Sequence, residues 1–199
     1  MNKSIHMPVK RCNRRRPLGQ SGVAAVEMAI ILPLMLLIIF ALIDFGMIFD
    51  AKFIITNMAR EGASLGSRDV QSATNLISML QSGARPLDLA SSGKIYIWKI
   101  RAGATKNAPK PTIDSQNSAS GGNLSVQSSI NTGSSTLGLS SALYNRLVFN
   151  ISNNTSDISD VTVVEVFYKY MPITPLANLV PGLLAGNGGG RIIGSKAVF

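Results

Sequence analysis

His6 and Cys12 are the only histidine and cysteine in the 199 residues, and both lie in an N-terminal arm with Lys3, Lys10, Arg11, Arg14, Arg15 and Arg16. Beyond that arm nothing can build a Ser-His-Asp or Cys-His nucleophile, a His/Cys zinc site or a histidine general base. Carboxylates remain. Asp157, Asp160 and Glu165 offer oxygen donors to a hard cation, but their spacing fits no calcium loop, and Glu165 falls in a strand-like run. Gly186-Asn-Gly-Gly-Gly-Arg191 lacks the Gly-Lys-Ser/Thr ending of a phosphate cradle and leads into a strand pattern, so it reads as a turn. Tyr96, Trp98, Phe167, Tyr168 and Tyr170 read as sheet faces rather than a stacking platform. The expectation is a non-enzymatic chain with no cofactor and no metal.

One acid stands apart. Val23 to Ile43 is a run of 21 residues whose single charge is Glu27, five positions after Gly22. As a helix the run spans roughly 32 Å, enough to cross a bilayer. An acid there costs about 2.5–3.5 kcal/mol at mid-membrane and less near an end, so Glu27 needs a partner. It also lies in the first helical turns, where the macrodipole favours negative charge.

The arm carries +6 of the net charge of +9, with no acid before Glu27. Basic residues abutting a membrane helix mark the cytoplasmic side and attract anionic lipid. This placement argues against nucleic acid as the partner. The apolar run exceeds the ~7–15 residues of a secretory h-region, and Phe40-Ala-Leu-Ile-Asp-Phe45 is too bulky for a signal-peptidase site. The organisation expected is a basic cytoplasmic leader at 1–22, a transmembrane helix at 23–49 and an exported α+β domain at 50–199.

Phe45, Ile48, Phe49, Phe53, Ile54 or Ile55, and Met58 recur at helical spacing, which predicts that the helix continues to about Gly66 with this stripe on the core. Asp69 is the expected N-cap of a second helix bearing Val70, Ala73, Leu76, Ile77 and Leu80. Strand patterns occupy Lys94–Arg101, Leu147–Ile151, Val161–Tyr170 and Arg191–Phe199, and the Ser/Gly/Asn-rich stretch 102–141 reads as a long loop. Thr174 and Pro175 are placed to start a short helix carrying Leu176, Leu179, Val180 and Leu183. Helices followed by strands predict an antiparallel sheet of about four strands laid on the long helix.

Gly22, Val-Ala-Ala-Val, Glu27 and the apolar helix together resemble the processing site of type IV pilins and pseudopilins. Adding Asn57-Met-Ala-Arg-Glu-Gly-Ala63 and the Tyr170-x-Pro172-x-Thr174-Pro175 element, the chain resembles the TadE/TadF-like minor pseudopilins of tight-adherence pilus systems, over about residues 20–68 and 161–199. The resemblance implies cleavage by a prepilin peptidase between Gly22 and Val23. It implies partners among membrane lipid, other pilin-like subunits and the assembly machinery. It also implies a bacterial inner-membrane location with a periplasmic head. The new α-amine of Val23 would then partner Glu27, on the same helix or on a neighbour, and register the helix. Pro33, which removes a helical hydrogen bond, and Asp44-Phe45-Gly46 are candidate subunit contacts. The alternatives are an uncleaved single-pass assembly factor and a membrane-tethered periplasmic ligand-binding protein or enzyme.

Overall fold

The computed structural model describes residues 20–131, 133–175 and 189–199. They form α1 (Gln20–Ser67), α2 (Ala73–Gly83), β1 (Gly93–Arg101), β2 (Thr112–Gly121), α3 (Ser141–Leu147), β3 (Asp160–Tyr170) and β4 (Arg191–Val198). The basic arm and the short helix expected after Pro175 lie outside the described residues. The chain divides between Ile39 and Phe40 into two compact units.

In the first unit the described residues are all helical, and those from Gly22 on are exposed. The helix continues unbroken through Pro33. It is long and apolar enough to cross a membrane, and none of its most apolar window is buried. A single helix of this kind supports a membrane-anchored topology.

The second unit is built on an antiparallel sheet of four strands in the order β2-β1-β3-β4. β1 and β3 are central, and their pairing sets Ile95 against Val166, Ile97 against Val164 and Lys99 against Thr162 on one face. The other face carries Tyr96 opposite Glu165, Trp98 opposite Val163 and Ile100 opposite Val161. Each face has its own core. The first holds Ile55, Ala59 and Ala63 of α1 with Leu76, Ile77 and Leu80 of α2 against Ile95, Ile97, Val164 and Val166. The second holds Ile130, Leu137, Leu139 and Leu147 against Ile100, Val161 and Val163.

The face that α1 turns to the sheet keeps only part of the expected stripe: Ile55 is in the first core, with Ile54 and Met58 packed against it. Ala51, Ile55, Ala59 and Ala63, at steps of four, are buried, whereas Phe45, Phe49 and Phe53 are exposed. Close approach explains the choice. A Cβ added to Gly62 would lie 2.8 Å from Leu80 Cδ1, and one added to Gly66 2.9 Å from Thr162 Cγ2, so at these two positions the helix seats too near its neighbours for a side chain. The Asn57–Ala63 element thus contains the small residues on which the helix packs.

Three other expectations are corrected. The N-cap of α2 is Ser72, whose hydroxyl accepts from the Asn75 amide at 3.3 Å, while Asp69 takes a positive φ of 52° just after α1. Leu147–Ile151 is not a strand: α3 ends at Leu147, and Asn150 makes only an isolated bridge to Thr155. The stretch 102–141 is not a long loop, since it contains β2 and the residues that close the second core. β2 eluded sequence reading because Ile113 is its only bulky apolar residue, and an edge strand needs a partner on one side alone.

Candidate functional site

Two places on α1 gather the residues that the sequence singles out. At the first, Gly22 and Val23 lie within the opening turns of α1, and a Cβ at Gly22 would meet nothing within 4 Å. Packing among the described residues therefore does not require a glycine there. Glu27, one turn on, is exposed, and among the described residues nothing hydrogen-bonds to its carboxylate. Val23 and Glu27 are four apart and so share one helix face.

At the second, Asp44 is fully buried although its helical neighbours Ile43 and Phe45 are exposed. Its Oδ1 accepts from the backbone amides of Ile173 at 3.2 Å and Thr174 at 3.3 Å, and its Oδ2 accepts from the Thr174 hydroxyl. Its backbone carbonyl accepts from the Tyr170 hydroxyl at 3.4 Å. The segment leaving β3 is thus lashed to α1 by one carboxylate. Burial pushes the Tyr170 phenol up to about 12, and the charge of Asp44 adds to the shift.

This clasp gives the Tyr170-x-Pro172-x-Thr174-Pro175 element a physical meaning. Tyr170 and Thr174 supply donors to Asp44, and the two prolines stiffen the backbone that presents them. Sequence reading had singled out both halves of this site and had not joined them. The carboxylate of Asp44 is taken up within the chain, while Phe45 and the open side of Gly46, where a Cβ would meet nothing within 4 Å, face outward.

Within the second unit two further buried charges hold the layers together. On the α1 face, Lys99 Nζ binds Asp69 and lies 3.4 Å from Asp160. Burial alone would lower its pKa, but the two carboxylates outweigh it and hold the ammonium above the usual lysine range. On the opposite face, Glu165 accepts from the hydroxyls of Ser128 and Ser129 and from the Ser129 amide at 3.1 Å. Lys196 Nζ, 3.8 Å from Glu165, also donates to Ser129 Oγ at 2.8 Å. Trp98 Nε1 donates to Ser128 Oγ at 2.8 Å, and Tyr96 Oη to the Val126 carbonyl at 2.6 Å. The polar chain 122–130 is therefore fastened to the sheet by its own hydroxyls and amides. Asp160 and Glu165 point to opposite faces, so the trio considered as cation donors does not converge, and among the described residues no cluster fit for a metal forms.

An apolar helix of membrane-spanning length in a chain that also forms an α+β domain supports a membrane-anchored protein. Residues 22–64 match the family model described as TadE-like protein. That match covers α1 from Gly22 to within its last turn and none of the sheet, so the chain is similar to TadE-like proteins over its long helix. No curated protein and no solved structure matches the chain. The family match and the apolar helix together support a general role as a membrane protein of a tight-adherence system.

Proposed function

We propose that the protein is a non-enzymatic minor pseudopilin of a tight-adherence pilus, inserted with its basic arm in the cytoplasm and its α+β domain in the periplasm. A prepilin peptidase cuts between Gly22 and Val23, and the mature subunit takes part in pilus assembly and surface adherence. The observation that carries this reading is the pair Gly22 and Glu27 at the start of the helix matched to TadE-like proteins. Among the described residues the glycine answers to no packing need and the acid has no partner. Cleavage supplies that partner by creating an amine on the same helix face. An ion pair in low dielectric then registers the helix on itself or on a neighbour. The exposed Phe45, Phe49 and Phe53 extend the apolar surface of the helix past Asp44 and give other pilin-like helices a surface to pack on.

Gly22→Leu tests the processing step. The variant is expected to stay at full length in cells that trim the parent. A trimmed product from it would move the cut elsewhere, and a full-length parent would leave an uncleaved membrane-anchored assembly factor.

A further inference from the structure

Asp44 is the first residue after the 21-residue apolar run, and the clasp fixes Ile173 to that point of α1 through a 3.2 Å hydrogen bond. Whatever depth Asp44 has in the bilayer, the backbone of Ile173 shares it to within a few ångströms. Polar capture of the backbone leaves the side chains outside. Ile173 is 72% exposed and Met171 59%, beside the exposed Ile43, Phe45 and Met47. With Val23–Ile43 read as the span, these bulky apolar groups lie level with its end. No charged residue occurs in the sequence from Met171 to Gly190, and β4 opens with Arg191 paired to Tyr170, the last residue of β3. Exposed aliphatic side chains beside a basic residue are the pattern of an interfacial anchor, with the cation at the phosphates and the aliphatic side chains among the upper acyl carbons.

We infer that Met171–Pro175 is a second membrane contact, a monotopic anchor whose Met171 and Ile173 side chains enter the outer leaflet beside α1. The partner is glycerophospholipid. The anchor holds the domain against the bilayer at two points, α1 and the exit of β3, and Asp44 joins them. It rests on the reading of Val23–Ile43 as a membrane span.

The test uses the full chain in vesicles of phosphatidylethanolamine and phosphatidylglycerol, at one protein per vesicle, in a Cys12→Ser background. Single cysteines replace Ile173, Ile38 in the span and the exposed Ile151 on the domain, each carrying an environment-sensitive nitrobenzoxadiazole dye. The expected result is blue-shifted emission at 173, quenched most by bromines carried near the lipid glycerol, with deep quenching at 38 and a water-like, iodide-quenched spectrum at 151. A water-like spectrum at 173 with lipid quenching at 38 overturns the anchor and leaves the span standing. A dye at 173 shielded from both iodide and bromolipid also overturns it, because protein then covers the segment. A water-like spectrum at 38 overturns the membrane-span reading, and the anchor with it.

Discussion

Removing the Asp44 carboxylate should release the β3 exit while leaving the two cores intact. Asp44→Ala deletes three hydrogen bonds to a charged acceptor, two from backbone amides and one from the Thr174 hydroxyl. Bonds of this kind contribute about 1.5–3 kcal/mol each when buried. The amides of Ile173 and Thr174 are only partly buried, so water replaces much of what is lost, and a local loss of about 2 kcal/mol is expected. Asp44→Asn keeps an acceptor for the amides and loses the charge, which places it between the parent and alanine, near 1 kcal/mol. Hydrogen exchange followed by mass spectrometry on the full chain in lipid reads this directly. At about 1.4 kcal/mol per decade, 2 kcal/mol makes the amides of 173 and 174 exchange roughly 30-fold faster, while those of β1 and β3 stay protected. Equal protection at 173 and 174 in parent and alanine variant would refute the clasp. Uniform loss across the sheet would show that Asp44 acts on the whole domain and not on the exit segment.

Glu165→Leu leaves the hydroxyls of Ser128 and Ser129 and the Ser129 amide without their acceptor, and should lower the unfolding free energy by about 3 kcal/mol in denaturant titration; a change below about 0.5 kcal/mol would count against a fastening role. Tyr170, Tyr168 and Lys99 all hold their protons more tightly when folded, each pKa being raised. Their contribution to stability is therefore complete below pH about 10 and falls as the pH rises through the folded values, toward 12 for Tyr170. Denaturant midpoints should drop over that window, less steeply in Tyr170→Phe, and a flat profile in the parent would contradict the assignment. Glu27→Ala should insert normally, since it makes the helix more apolar, and should impair assembly; normal piliation in that variant would remove the registration role.

The long helix was legible because an uninterrupted apolar run leaves few alternatives, and β1, β3 and β4 because alternation with β-branched and aromatic residues there runs for eight residues or more, whereas the five-residue pattern Leu147–Ile151 misled. β2 and the Ser128–Ser129 fastening were not, since a polar segment gains its order from partners that local composition does not reveal. Glu165, on a strand, shows only after folding that it binds hydroxyls 36 and 37 residues away. The core face of α1 was legible at Ile54, Ile55 and Met58 and misplaced at Phe45, Phe49 and Phe53 for a different reason. Hydrophobic periodicity rewards large side chains, whereas a helix lying close to a sheet is selected for alanine and glycine. The Asp44 clasp joins residues 126 to 130 apart, one end a candidate subunit contact and the other part of the motif that carries the resemblance, and no local pattern links them.

The processed end carries the central claim, and the intact mass of the protein extracted from membranes of the producing cells measures it most directly. The account predicts a chain that begins at Val23, lacking residues 1–22. A chain that still begins at Met1 would leave Glu27 without the amine assigned to it and would contradict the pseudopilin reading.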